Sequence, residues 1–370
     1  MKPTVIAFYL PQYHPIKEND EWFGKGFTEW TNVGKAKPLF KGHEQPRVPA
    51  DLGYYDLRLP EVRAAQAELA KEAGITGFCY YHYWFGNGRT IMDYPLQEVV
   101  RLGEPDFPFC LCWANHNWYK KEWNSSTNGL DQKLLFEMKY LGVDDMKAQF
   151  NHLLPVFKDK RYMKIDGRLV YIILDITALP DIDLFKRTWN ELARLNGLPK
   201  FYFLAYTSKL EHLDREDYQD CEATALSLIT NIIFKQKYSK FDDYRNAIKV
   251  KLSKLLNRPL EVHTYKEAMK YLLDPICKRE DVIPVVFPNW DWSPRRGVGG
   301  LILKDAKPEY FKEHVIQALE MLKDKPTDKQ ILIVKSWNEW GECNYMEPDL
   351  EYGHGYINAL REALDMYIDK

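Results

Sequence analysis

Near-continuous apolar runs recur along the chain, separated by stretches with helical spacing. The runs "TVIAFYL" (4–10), "ITGFCYY" (75–81), "FPFCLCWA" (107–114), "RLVYIILD" (168–175), "KFYFLAY" (200–206), "ATALSLI" (223–229), "VIPVVFP" (282–288) and "QILIVKSW" (330–337) are apolar at successive rather than alternate positions. A strand needs that pattern only when both of its faces are covered. Between the second and first of these runs "PEVRAAQAELAKEAG" (60–74) opens on proline and closes on glycine, as a helix with matched ends does. The stretches 144–158, 183–197, 307–324 and 355–369 carry helical apolar spacing as well. Eight strand candidates interleaved with helices predict a closed parallel (β/α)8 TIM barrel of the α/β class, one catalytic domain over residues 1–370. A doubly wound open sheet is the alternative, but it would carry a glycine-rich phosphate loop after the first strand, where this chain has "PQYHP". One segment, about 230–275, is basic and less apolar. It reads as an insertion after the sixth strand, partly helical, lying over the barrel mouth, with its lysines on a solvated face.

Strand ends are where such barrels do chemistry, and the polar residues gather there. Gln12, Tyr13 and His14 follow the first strand; His82, Tyr83 and Trp84 the second; Trp113, Asn115 and His116 the third. Asp175 ends the fourth and Tyr206 the fifth, while Asn289, Asp291, Arg295 and Arg296 follow the seventh. The eighth runs into "SWNEWGECNYMEP", with Trp337, Asn338, Glu339, Glu342, Tyr345 and Glu347. Any one of these is most simply a capping amide, a satisfied histidine or a core tryptophan. Such a group at almost every strand end is not, because buried polar groups without partners are costly. The set describes a cup lined with aromatics, amides, imidazoles and carboxylates.

Composition sharpens this picture. Aromatic residues make up 14% of the chain, with 24 Tyr and 11 Trp. Their flat apolar faces and polar edges suit sugars, though a large aromatic core gives the same count. The net charge of −2 offers no electrostatic case for nucleic acid or an anionic membrane. No segment is long and apolar enough for a membrane span. His14, His82 and His116 lack the spacing of a familiar metal site, so neither a metal nor an organic cofactor is expected. Of the six cysteines, Cys79, Cys110 and Cys112 lie in apolar runs, and "CLC" is not a zinc or redox pair. Reduced thiols and a cytoplasmic protein are expected, a periplasmic one only if an export signal has been removed.

Cleaving a glycosidic bond takes two carboxyl groups, one holding a proton for the leaving oxygen and one acting as base or nucleophile. Glu339 and Glu342, three residues apart beyond a buried strand, can both face the barrel mouth. Neighbours such as Trp340 and Asn338 would drive their pKa values apart, with Glu342 in the more apolar setting.

The segments "FYLPQYHPIKENDEWFGKGFTEWTNV" (8–33), "GFCYYHYWFG" (77–86), "WANHNW" (113–118) and "SWNEWGECNYMEPD" (336–349) resemble the WbsX-type proteins, described as glycosyltransferases of polysaccharide biosynthesis. That resemblance covers essentially the whole chain. Through its final strand the chain is also similar to the endo-α-mannosidases of glycoside hydrolase family 99, (β/α)8 barrels whose catalytic pair lies in a W-N-E-W-x-E segment. This second resemblance implies that Glu339 takes the proton of the substrate 2-hydroxyl, giving a 1,2-anhydro sugar, while Glu342 protonates the leaving oxygen and then activates water. The anomeric configuration would be retained. Tyr13, His14, Trp30, His82, Tyr83, Trp84, Trp113, Asn115, His116, Tyr206, Asn289, Asp291, Trp337, Asn338, Tyr345 and Glu347 are the expected substrate contacts. Gly341 and Cys343-Asn344 depart from the His and Gly-Thr usual in the endo-mannosidases, so the resemblance implies cleavage of α-linked glycans, with mannosides one candidate class among them. The expectation is a hydrolase or transglycosylase acting on an oligo- or polysaccharide. A sugar-nucleotide transferase and a non-catalytic glycan-binding protein are the rivals; Arg295 and Arg296 are the only obvious cations for a diphosphate.

Overall fold

The computed structural model of the chain describes residues 2–124, 129–232 and 258–368. Eight parallel strands close on themselves: β1 Thr4–Tyr9, β2 Gly77–His82, β3 Phe109–Trp113, β4 Arg168–Ile173, β5 Phe201–Thr207, β6 Ala223–Leu226, β7 Val282–Val286 and β8 Ile331–Val334. Leu111 of β3 sits opposite Tyr171 of β4, and Thr4 of β1 opposite Ile331 of β8, so the sheet has no free edge. Every residue of β2 and β3 is buried, as continuous apolar runs require when one face looks into the barrel and the other meets helices.

The principal helices are α1 Lys17–Phe23, α2 Glu29–Lys35, α3 Pro60–Ala73, α4 Tyr94–Leu102, α5 Val143–Phe157, α6 Ile182–Leu195, α7 Tyr265–Leu272, α8 Pro308–Leu322 and α9 Gly355–Ile368. α1, α2, α4 and an antiparallel hairpin, Trp118–Asn124 with Gly129–Phe136, go beyond the elements the apolar pattern announces. α1 and α2 are each seven residues long, too short to show a period. Of the segment expected over the barrel mouth, 233–257 lies outside the described residues. Within the remainder, Val262–Thr264 pairs with Ile302–Lys304, and α7 packs toward α8, with the Tyr265 ring edge-on to His314. None of the described helices is long and apolar enough to cross a membrane.

Register decides which side chains face the cavity. Tyr81 of β2 lies level with Cys112 of β3, and His82 with Trp113. Side chains alternate across a strand, so one row points into the barrel and the next points out. Phe8, stacked on Tyr81 at 5.2 Å and edge-on to Tyr206 at 5.8 Å, marks the inward row. Cys79, Cys110 and Cys112 belong to it and are small enough to leave room for those rings. On the outer side Trp189 of α6 is fully buried against Phe185, Tyr171 and Phe201, its ring centroid 4.6–5.3 Å from theirs, and its indole N–H donates to the Met146 carbonyl at 3.2 Å. Replacing it by alanine removes the largest side chain between α5, α6 and the barrel wall. We expect Trp189→Ala to lower the unfolding free energy by about 3–5 kcal/mol, measured by denaturant titration.

Candidate active site

Strand β8 stops at Val334, three residues before the apolar run suggests. Asn338–Glu339 then turns back antiparallel against Asn344–Tyr345, with Trp340–Glu342 as a tight helical turn between them. This hairpin is pinned from several directions. Asn338 accepts from the Leu10 amide at 2.7 Å and donates to the Leu10 carbonyl at 3.1 Å. The Tyr13 hydroxyl donates to the Asn338 carbonyl and accepts from the Trp340 amide at 3.0 Å. Trp340 stacks on Tyr345 at 3.7 Å, and Trp30 packs against it. Glu347 is buried and accepts from the Trp340 indole at 2.6 Å, the Tyr55 hydroxyl at 2.9 Å and the Gln66 amide at 2.6 Å.

What this scaffold holds is a cluster of buried charge. Glu339 and Glu342 interact directly, side chain to side chain. Lys335, on the chain leaving β8, reaches Glu339 at 3.2 Å and the Tyr81 hydroxyl at 3.0 Å. Arg295 donates through Nη1 to Glu342 at 2.5 Å and through Nε to Glu29 at 3.0 Å. Burial raises the pKa of Glu339 above the ordinary glutamate range, and the Glu342 charge adds to this, while Lys335 only partly offsets it. Burial acts on Glu342 in the same sense, but Arg295 and then Lys335 outweigh it and hold Glu342 below that range. Between the two ionisations the pair therefore carries one proton, and Glu339 is the carboxyl that retains it. The sequence expectation put the more proton-retaining environment at Glu342; the Arg295 guanidinium reverses it.

Gly341 makes this arrangement fit. A Cβ there would lie 1.9 Å from Glu29 Oε2 and 2.9 Å from Arg295 Nε. The carboxylate of Glu29, carried in on α2, occupies the space a side chain at 341 would need.

Above the pair, at the C-terminal end of the strands, opens a cavity of about 900 Å³, a volume suited to an oligosaccharide segment. Tyr81, Tyr83, His116, Trp118, Tyr206, Arg295, Arg296, Lys335, Glu339 and Glu342 line it, with Glu29 and Lys35 of α2 on one side and Asp175 and Lys209 on the other.

Of the expected contacts, Tyr83, His116, Tyr206, Glu339 and Glu342 are in this wall. The remaining ones are not. Tyr13, Trp30, Trp337, Asn338, Tyr345 and Glu347 are buried or packed within the support of the hairpin. His82, Trp84 and Trp113 fall on the outward row. His82 and Trp84 lie beside His152, Trp84 donates to Asp145 at 3.1 Å, and Trp113 stacks on Phe185 of α6. His14 packs near Tyr94. Burial pushes His14 down to about 4 and His82 to about 3, so both are neutral imidazoles. Asn115 ties two loops together, accepting from the Asp175 amide at 2.8 Å and donating to its carbonyl at 2.6 Å. Asn289 accepts from the next amide, that of Trp290, at 2.6 Å. Asp291 accepts from His43 at 2.8 Å and Gln45 at 2.7 Å; His43 Nδ1 accepts the Leu39 amide, which leaves the proton on Nε2.

Lys335, Tyr81 and Glu29 are site residues that strand-end reading passes over. Lys335 had a signal, a lone cation closing the apolar run "QILIVK". Glu29 had none, because α2 reaches the site only through tertiary folding.

Comparison with known proteins agrees with this architecture. The family described as glycosyltransferase WbsX matches residues 5–360. The WxcX proteins of two strains of Xanthomonas campestris pv. campestris are 33% identical over 372 residues, covering 98% of this chain and 49% of their own length. The chain thus spans about half the length of these curated relatives. Among solved structures, a glycoside hydrolase-like protein aligns over 98% of this chain and 94% of its own with a TM-score of 0.61 at 14% identity. A family 99 endo-α-mannosidase from Bacteroides thetaiotaomicron aligns over 99% and 97% with a TM-score of 0.57 at 12% identity. At such identities the likeness is one of fold.

The contact between Gly341 and Glu29 is testable by a double-mutant cycle. Gly341→Ala is expected to destabilise the protein by about 1–3 kcal/mol through overpacking. In a Glu29→Ala background, where the obstructing carboxylate is gone, most of that cost should vanish. Equal costs in both backgrounds, read from denaturant unfolding, would show that the two residues do not meet.

Proposed function

The chain belongs to the WbsX family, and from that premise we propose that it is a carbohydrate-active enzyme that cleaves α-linked glycans with retention, by hydrolysis or transglycosylation, using Glu339 and Glu342. The observation that carries this reading is the pair itself: two buried carboxyls in direct interaction, sharing one proton, in the wall of a cavity sized for sugars. Side chains in contact leave no space for the water that an inverting displacement places between its carboxyls. They suit a reaction in which the 2-oxygen of the substrate attacks its own anomeric carbon. The two oxygens to be served, O1 and O2, stand on neighbouring ring carbons, so the groups serving them must be neighbours too.

The proton count is right for this chemistry. One carboxyl gives a proton to the leaving oxygen while the other, as carboxylate, takes one from the 2-hydroxyl, so a dyad with a single proton is the competent form. In the resting pair the proton sits on Glu339. For Glu342 to act as the acid, the proton crosses to it as the sugar's 2-hydroxyl comes to rest on Glu339, a transfer within the dyad that needs no outside donor. Lys335 then faces a carboxylate at 3.2 Å and stabilises it. The six buried, unpaired cysteines support a reducing compartment.

The family description favours a second reading, transfer from a sugar nucleotide. Arg295 and Arg296 in the cavity wall would then meet its diphosphate. The transferase would turn over a nucleotide sugar and no free oligosaccharide, and Arg295→Ala and Arg296→Ala would be its most damaging substitutions.

For the glycosidase, incubation with a panel of α-linked oligosaccharides read by mass should reveal cleavage. Glu339→Gln and Glu342→Gln should each lower turnover by roughly 10²–10⁴ while leaving glycan binding nearly intact. Failure of both to affect turnover would remove the dyad from the mechanism. Glu347→Gln should be milder, since Glu347 supports the hairpin from beneath.

The pH profile gives an independent check. The single-proton form persists from below the ordinary glutamate range, where Glu342 ionises, to above it, where Glu339 does, so kcat/KM should be bell-shaped around it. Arg295→Gln removes the principal cause of the low Glu342 pKa. Glu342 would then ionise only at higher pH, and the acid limb should move up by roughly one to three pH units. An acid limb that stays in place would mean that Glu342 is not the group titrating there.

A further inference from the structure

An arginine whose N–H donors stay open to a cavity, with no protein group bonded to them, is available to a ligand. Arg296 is such a residue. It lines the cavity and is half-buried, and among the described residues it has no hydrogen-bond or ion-pair partner. Its guanidinium lies 4.2 Å from the centre of the Trp292 ring. Stacking on an indole fixes the plane of the group and leaves its edge, with the N–H donors, free to meet a ligand. Arg295, one residue earlier, is already bound to Glu29 and Glu342 and has little to offer a ligand.

The charges around the cavity point the same way. Arg295 bonds both Glu29 and Glu342, one cation to two carboxylates, and Lys335 bonds Glu339. The other acid in the wall, Asp175, accepts from the Thr177 amide and hydroxyl. Lys35 and Lys209, both exposed at the rim, form no ion pair among the described residues. Among the described residues of the wall, the cations Arg295, Arg296, Lys335, Lys35 and Lys209 face the carboxyls of Glu29, Glu342, Asp175 and the proton-holding Glu339, so positive charge is in excess in a concave space, which attracts anions.

We propose that Arg296 is an anion-recognition residue and that the sugar bound in this cavity carries a carboxylate or a phosphate. The proposal rests on the sugar-binding cavity of the preceding subsection and narrows its substrate class. A planar guanidinium with parallel N–H donors matches either group in a two-point contact. A carboxylate would belong to a uronic-acid residue of a glycan; a phosphate would belong to a glycan phosphoester or to a sugar nucleotide.

Calorimetric titration of the full chain separates these cases. The probes are an α-linked disaccharide ending in mannose, whose axial O2 stands trans to the leaving oxygen, its twin ending in mannuronic acid, and inorganic pyrophosphate. The acidic twin is expected to bind about ten- to hundredfold more tightly than the neutral one at low salt, the gain of a charge-assisted contact. That preference should collapse in Arg296→Ala and survive in part in Arg296→Lys, with thermal melts confirming that both variants fold. Pyrophosphate that binds in an Arg296-dependent way while neither disaccharide does would support the anion site with phosphate as its source, and turnover of a nucleotide sugar would then decide between the transferase and a glycosidase acting on a glycan phosphoester. Equal affinity for the two twins, with no Arg296-dependent pyrophosphate binding, would overturn the anion site and leave the glycosidase reading intact. A preference for the acidic twin that persists in Arg296→Ala, or no binding by any probe, would also overturn it.

Discussion

Two carboxyls can be buried side by side only if something removes or balances their charge. Here one keeps a proton and the other is held by a guanidinium, with an ammonium close by. Much of the upper barrel can be understood as meeting that condition. Arg295 must reach Glu342, so Glu29 fixes its other edge, and Gly341 stays bare to let Glu29 approach. Lys335 must reach Glu339, so β8 ends early and Tyr81 supplies a second partner for its ammonium. Removing one partner from such a set leaves an uncompensated buried charge, which costs more than the intact pair contributes.

The cluster also explains why so many conspicuous residues stand back from the cavity. A hairpin bearing buried charges needs a rigid support, and Tyr13, Trp30, Asn338, Tyr345 and Glu347 supply it. Glu347 is the third carboxylate of the segment, yet its three donors are all structural. In a motif as rich in polar and aromatic residues as this one, chemistry and bracing share the same alphabet.

The barrel was readable from sequence because burial on both faces leaves unbroken apolar runs, and that signal is local. The Glu339 and Glu342 pair was readable because strand ends carry barrel chemistry. What local pattern could not supply was the facing of each side chain. His82 and Tyr83 are adjacent in sequence, and the pleat sends them to opposite sides of the wall. Knowing that a residue follows a strand is insufficient without the register, which distant pairings set. Arg295 was visible, but its partner was not: Glu29 comes from α2, 266 positions away. The inversion of the proton between the two glutamates follows from the approach of Arg295 to Glu342 across 47 positions, which neighbouring residues do not foretell.

The Asn338 side chain bonds the backbone of Leu10 across a separation of 328 residues. That distance has a meaning in time as well as in space. At synthesis rates of about 5–20 residues per second, roughly 15–65 seconds pass between the emergence of β1 and that of its partner β8. Until then β1 has an unpaired edge, the kind of surface on which stray strands pair. The arrival of "QILIVKSWNEWGE" ends this exposure and, in the same step, delivers both glutamates. Closure of the barrel and assembly of the carboxyl pair therefore wait on the same last strand, and a chain that stalls short of it exposes an unpaired edge and lacks both glutamates.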